Sequence, residues 1–489
     1  MSIAITVAVI IVYLVLLFGI SGVAMKRQKK LESEGKGSNS FLMAGKSLPT
    51  YLVAFMMAGA GIGSINTTGI AEQVQTAGLS GLCVGLAGSV ALIILAVFGA
   101  KRMRELPYNT MPSMAKAYCG ETTRWLLGLG GLVMALAIAA LQFVGGGAML
   151  ASMFPDAISY KMGVIITAVI FLGLAVIGGM LGSSLVNVIN MIVMYLGLGL
   201  VLIVTLSKMG GFGALVDQVN AIPEPTKSGA PWLSLTGGLG LATFISYFAT
   251  EIPNRFSTQS NTQQIFAAKD AKAARNGIII GALMMIPITL ICATLGLIAR
   301  VEFPDLQVKT QALSMIVLTT NPLLSGLGLA ALWAVNISTG IALMMTCSQL
   351  ASIDILSPLN RKREMTERQQ SVQARIVLVV VTIIALVMAF YMRGIVSTIM
   401  TLHCITAAFV FIFVPILYCP KALKKSTGPA LLIASYVFFF LWLIIPGLKA
   451  AFPDPVYPEW VLALVVFFVC FFADKRTIDV PLYDRDAMD

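Results

Sequence analysis

The sequence predicts an all-α membrane protein of about thirteen transmembrane helices, ten of which form an inverted five-plus-five helix repeat. Three observations carry this. Of 489 residues, 58% are hydrophobic and 11% charged, and the mean hydropathy is +0.90, whereas charged residues make up about 25% of an ordinary soluble domain. Apolar runs long enough to cross a bilayer, which takes about 20 residues, recur from one end to the other. The basic residues between them alternate in abundance from loop to loop, as the positive-inside rule requires.

The first run, residues 3–25, follows no basic segment and precedes no small-residue cleavage site, so it reads as a retained helix and not a leader peptide. Further runs fall at 48–77, 79–99, 124–153, 161–181, 185–207, 232–252, 276–299, 323–356, 376–392, 395–418, 428–447 and 459–473. Lys and Arg are abundant at 26–46, 101–124, 255–275, 361–375, 421–425 and after Ala473, while the intervening loops hold only Lys161, Lys208, Lys227, Arg300, Lys309, Arg393 and Lys449. An odd number of spans with this bias puts the N-terminus outside and the C-terminus in the cytoplasm, as expected of a multi-pass protein of the cell inner (plasma) membrane. It also accounts for the net charge of +11 without nucleic acid as a partner. Seven cysteines (Cys83, Cys119, Cys292, Cys347, Cys404, Cys419, Cys470) are scattered with no CxxC pair, so they read as small core hydrophobes and not as a zinc or disulfide framework.

Setting aside 1–47 (an extra helix and a cytoplasmic loop) and 428–489 (two helices and a cytoplasmic tail) leaves one repeat at 48–208 and another at 232–418, starting on opposite sides of the membrane. Each opens on a glycine-interrupted helix: "AGAGIGSINTTG" at 58–69 and "LTGGLGLATFISYFATEIP" at 235–253. Gly59, Gly61 and Gly63 each cost about 1 kcal/mol relative to alanine in a helix interior, and Asn66, Thr67 and Thr68 compete for backbone partners. Glycines also serve close helix packing. The polar residues that follow, and the matching break in the second half, favour an inverted-repeat transporter with its site at the midplane. Backbone freed at membrane depth is tolerated only where it lines a cavity or binds something.

The stretch 329–355, "LAALWAVNISTGIALMMTCSQLASIDI", carries adjacent hydroxyls at Ser338 and Thr339, about 100° apart around a helix, with Val335 one turn before Ser338. Two hydroxyls, the Val335 carbonyl and two carbonyls of a broken helix would make a five-oxygen cage for a small hard cation. Taken alone, the pair reads more readily as hydroxyls bonded back to their own helix. Gln142, the only strongly polar side chain at 126–153, divides evenly between a functional amide and a helix-to-helix hydrogen bond. His403, the single histidine, reads as a satisfied structural histidine in preference to a proton relay.

"FLMAGKSLP" after the first helix, "GAGIGS", "GGMLGSSLVNVIN" at 178–190, "NTQQIFAAKDAKAARNG" at 261–277 and "AVNIST" at 334–339 occur in an order and spacing that resemble the sodium/solute symporter family over essentially the whole chain. The resemblance implies the fold first seen in the bacterial leucine transporter, sodium as coupling ion and not a prosthetic group, and import of a small organic solute by alternating access. It implies a sodium site at the carbonyls of Gly59, Ile62 and Val335 and the hydroxyls of Ser338 and Thr339. It implies solute contacts at Gly63, Ser64, Asn66, Thr67 and Gln142, closed by Ser246 and Tyr247. Where many members have a Thr-Asp pair and then a Gln, this chain has Val186, Asn187 and Asn190, and Ile341 and Ala342 follow the Ser-Thr pair. A second sodium site is therefore not expected.

No Walker motif and no long soluble segment is present, so no enzyme is expected. The alternatives are a proton-coupled symporter of the same fold, or a transporter-like sensor or channel; the 16 residues after Ala473 leave no room for a signalling domain, and a channel would lack the paired breaks. No Lys or Arg falls deep in a predicted helix. That favours a neutral or zwitterionic solute such as an amino acid, or a monocarboxylate, over a dicarboxylate, carried by a protein that functions as a monomer in the lipid bilayer.

Overall fold

The computed structural model describes residues 2–33, 40–154, 157–359, 366–392, 402–406 and 408–476. The start of the expected span at 395–418, the basic residues 361–363 and the tail beyond 476 lie outside the described residues. Helices and their connections make up the described chain, which contains no strand; the one β-bridge pairs Leu48 with Ala268. Nine helical segments among the described residues are long and apolar enough to cross a membrane, and Thr50–Gly61 is a shorter apolar helix.

Helix α1 is Ser2–Ser33. The interrupted span at 48–77 is two helices, α2 (Thr50–Gly61) and α3 (Thr68–Ala77), joined by an unwound stretch. Next come α4 (Cys83–Ile94) and α5 (Ala100–Glu105), linked by a π-helical turn at Leu95–Gly99. Thr110 caps α6 (Met111–Cys119) in a reciprocal capping box with Ser113, and α7 is Glu121–Met153. The expected spans at 161–181 and 185–207 form one helical run, α8 (Tyr160–Lys208). Its 49 residues would reach about 74 Å if straight, more than twice the hydrocarbon thickness. The run breaks instead at Gly179, whose φ of 54° suits only glycine and whose missing Cβ leaves room for Phe41.

In the second half, α9 (Phe212–Asn220) precedes α10 (Leu241–Ser257), α11 (Gln259–Ala267) and α12 (Ala271–Glu302), the last capped by Asp270 accepting from the Ala273 amide at 2.6 Å. Then come α13 (Ala312–Leu318) and α14 (Pro322–Gln349), which starts with Asn321 as N-cap and proline at N1. A π-helical turn at Leu350–Leu356 continues it. The chain ends with α15 (Glu367–Ala389), α16 (Val410–Tyr418), α17 (Thr427–Ile444) and α18 (Val456–Ala473).

Among the described spanning helices α14 is the most enclosed, almost wholly buried along its apolar stretch, whereas α1 and α18 are mostly exposed. It packs on α7 and α8, while α12 packs on α2. A helix polar enough to carry Asn336, Ser338, Thr339, Thr346, Ser348 and Gln349 would be costly facing lipid, and all six are buried inside the bundle. At one end Arg124 of α7 pairs with the fully buried Asp354 at 3.2 Å, and Thr110 also donates to that carboxylate. Gln259 bridges the Met111 amide and Gln349, and Gln349 donates in turn to the Leu42 carbonyl. Of the cysteines, Cys419 is exposed and the other six are buried. Cys419 is therefore a correction to the expectation that all are core residues; it sits past the end of α16, where the chain leaves the bundle.

Candidate functional site

Where α2 ends at Gly61, its last carbonyls lose their intrahelical donors. Ile62 takes φ −88° and ψ 53°, Gly63 is extended, a short 3-10 turn covers Ser64–Asn66, and Thr67 at φ −126° and ψ −87° starts α3. Asn66 donates to the Gly61 carbonyl and Thr67 to the Gly63 carbonyl, so polar side chains after the glycines hold the break open.

The Gly59 carbonyl finds its partners on α14. Ser338 Oγ and Thr339 Oγ1 both lie 3.0 Å from it; Ser338 Oγ is also 2.9 Å from the Val335 carbonyl, and Thr339 Oγ1 is 3.5 Å from that of Ala60. Two hydroxyl protons thus face three carbonyl oxygens within a buried cluster. Such an excess of lone pairs over protons suits a small hard cation, which takes oxygen ligands. Of the five residues expected here, the structure brings together Gly59, Val335, Ser338 and Thr339. Ile62 is fully buried at the end of α2, and among the described residues no hydrogen bond ties its carbonyl to the hydroxyl pair.

Behind Gly59 stands Asn187 of α8. A Cβ on that glycine would lie 2.8 Å from Asn187 Cγ, so only glycine admits the side chain. Both amide atoms of Asn187 are buried without a hydrogen-bond partner among the described residues, a costly arrangement that sequence reasoning did not anticipate. Asn190 accepts from Tyr13 at 2.7 Å, while its amide nitrogen is likewise buried without a partner among the described residues.

A second cluster forms on the far side of the break. Ser64 Oγ is 2.6 Å from Gln142 Oε1 and 2.8 Å from Asn336 Oδ1. The amide nitrogens point away, to the Ile138 and Leu332 carbonyls. The Ser64 backbone N–H also donates to Gln142 Oε1 at 3.4 Å, so one hydroxyl proton and one amide proton serve the two amide oxygens. Asn336 was missed from the sequence, although it lies next to Val335 and is an amide inside an otherwise apolar run. Ser246 and Tyr247 do not join this group: Ser246 donates to the Thr243 carbonyl one turn back in α10, and Tyr247 clusters with Cys83, Val84 and Ala87 of α4, a cluster against which Ile65 of the break packs.

Gly61, Gly63, Gln142 and Thr339 line a cavity whose other wall includes Asn254, Arg255, Ser260, Asn261 and His403. Here the expectation of no deep cation needs correction, because Arg255, counted from the sequence as a loop charge, is only 8% exposed near the end of α10. Its ion pair explains why burial is tolerated: Arg255 Nη2 lies 2.7 Å from Glu251 Oε2, one turn earlier, and Nη1 is 2.8 Å from Asn261 Oδ1. His403 Nδ1 lies 2.7 Å from the other Glu251 oxygen. An acid four residues before a base was the available sequence signal.

The sodium:solute symporter family profile matches residues 41–428. The Escherichia coli sodium/pantothenate symporter is 22% identical over 94% of this chain and 95% of its own, and that of Haemophilus influenzae 23% over 71% and 70%. The Bacillus subtilis symporter YwcA is 24% identical over 73% of this chain and 71% of its own. A solved Na+-coupled sialic acid symporter, in a substrate-bound outward-open state, superposes with a TM-score of 0.80 at 15% identity, covering 97% of this chain and 98% of that one. The nucleobase-cation-symport-1 transporter Mhp1 superposes with a TM-score of 0.58 at 13% identity, over 88% and 92% of the two chains, so the architecture is that of these secondary transporters. With its profile matched over most of the length, the chain belongs to the sodium:solute symporter family, and it is a multi-pass membrane protein that couples sodium to the symport of a small organic solute, not an enzyme.

Proposed function

We propose that sodium binds between the end of α2 and the middle of α14, held by the carbonyls of Gly59, Ile62 and Val335 and the hydroxyls of Ser338 and Thr339. The observation that carries this is the pair of hydroxyls converging on the Gly59 carbonyl, which the helix break has left without its own amide. Sodium would draw those lone pairs inward and fasten α2 to α14. Solute binding beside the same break would then depend on the ion, which is thermodynamic coupling between two sites that share one element.

The solute site we propose comprises Gly63, Ser64, Asn66, Thr67 and Gln142, with Asn336 added. The Ser64 hydroxyl and N–H do not fill both lone pairs of each amide oxygen, so the Gln142 oxygen can also accept from a solute hydroxyl or N–H. Ser246 and Tyr247 would act on the other side of Ile65. A neutral or zwitterionic solute, or a monocarboxylate, fits this polar wall; the named pantothenate and sialic acid relatives make an organic acid a natural member of that set.

In this reading the helices form thirteen crossings, with repeats at 48–208 and 232–418, and alternating access comes from one helix bundle rocking against another in a monomer. The N-terminus is outside and the C-terminus cytoplasmic, on the strength of the Lys/Arg bias. The test is sodium-dependent solute uptake in proteoliposomes by the wild type and by Ser338→Ala and Thr339→Ala. Weakened sodium dependence in both supports the site, and unchanged dependence removes it.

A further inference from the structure

We infer that Arg255 is the fixed positive charge of the solute cavity and that the solute carries a single carboxylate. This deepens the proposed solute site and rests on it. Arg255 lines the same cavity as Gln142, Gly63 and Thr339. Its guanidinium uses one nitrogen on Glu251 and one on Asn261, while its Nε is buried without a partner among the described residues. An unpaired buried donor on a charged group is costly unless something arrives to use it.

The acceptors around Arg255 are already engaged. Glu251 gives one oxygen to Arg255 and the other to His403. Asn261 Oδ1 is held by Arg255, and Asn254 Oδ1 by Thr406 at 2.8 Å. The residues lining the cavity thus include an arginine with one donor unpartnered among the described residues and no carboxylate, the opposite of what a solute ammonium needs. A carboxylate oxygen on Nε fits, since charge-assisted hydrogen bonds of this kind are among the stronger ones. One arginine, partly neutralised by Glu251, suits one carboxylate and not two. The amide oxygen of Gln142, which lines the same cavity, meanwhile accepts from a hydroxyl or N–H elsewhere on the solute. The geometry points to an uncharged-bodied monocarboxylic acid with a hydrogen-bond donor.

The test measures thermal stabilisation of the purified full-length protein in sodium buffer, as a function of ligand concentration. The acids are pantothenate, lactate and N-acetylneuraminate; their uncharged counterparts are pantothenol, lactamide and N-acetylneuraminate methyl ester; proline is the zwitterion. At least one acid is expected to stabilise the wild type well above its counterpart and above proline. Arg255→Gln should weaken that acid roughly ten- to a hundredfold and leave the counterpart unchanged. Because Arg255→Gln strands Glu251, the double variant Glu251→Gln/Arg255→Gln, which removes both charges together, should show the same loss. Stabilisation by sodium alone reports the cation cage separately: it should persist in both variants, and its absence from the wild type would count against the cage and not against Arg255. The inference is overturned if no acid exceeds its counterpart in the wild type, if proline stabilises best, or if acid preference survives in both variants.

Discussion

Removing one hydroxyl from α14 should weaken sodium without unfolding the helix. Ser338 is fully buried and lies within hydrogen-bond distance of two carbonyls, at 3.0 and 2.9 Å, whereas Thr339 makes one contact at 3.0 Å and a marginal one at 3.5 Å. Alanine is the best helix former, so the backbone tolerates either change. What each loses is one ligand oxygen to the ion, and the remaining carbonyls stay desolvated. A buried polar group left unsatisfied costs about 1–3 kcal/mol, which is roughly five- to a hundredfold in the sodium concentration for half-maximal uptake. Ser338→Ala should sit at the upper end, because Ser338 is fully buried and close to two of the cage carbonyls, and Thr339→Ala lower. Thr339→Ser, which keeps the oxygen, should stay near wild type. The assay is initial-rate uptake in proteoliposomes over a sodium series at fixed solute, with surface expression measured in parallel. Equal half-saturation for wild type and both alanine variants would refute the cage, as would Thr339→Ser behaving like Thr339→Ala.

Gln142→Leu should raise the apparent KM for solute by roughly ten- to a hundredfold with expression intact, since Ser64 keeps Asn336 as a partner while the solute loses an acceptor; an unchanged KM would make Gln142 a packing residue. Transport should move one sodium per solute, because Asn187 supplies no charge where a second ion would need one and a buried cation without a counter-charge is expensive; a reversal-potential ratio of two or a sodium Hill coefficient clearly above one would contradict this. Arg124→Ala should lower the thermal midpoint markedly, since it leaves the fully buried Asp354 unpaired and breaking such a pair costs about 3–5 kcal/mol; a midpoint equal to wild type would show that Thr110 alone suffices for Asp354.

The amino-acid sequence by itself determined the fold class and the position of the break. Both follow from local chemistry: spans of apolar residues can leave water only as helices in lipid, and glycines followed by Asn66 and Thr67 weaken a helix wherever it is placed. The Ser338–Thr339 pair was likewise legible as a source of oxygens, though not as a site. Only the tertiary structure brought Gly59 to that pair, 279 residues away, and set Asn187 against the same glycine. It also parted Ser246 and Tyr247 from the Gln142 cluster, because both side chains of α10 are committed to neighbours that spacing does not reveal. Arg255 is the sharpest case. Hydropathy assigns an arginine at the edge of an apolar run to the loop, since burying its charge alone is prohibitive. Glu251 one turn away and Asn261 on the next helix offset that penalty, while His403 from a distant segment holds the other Glu251 oxygen, and that arrangement exists only once the chain has folded.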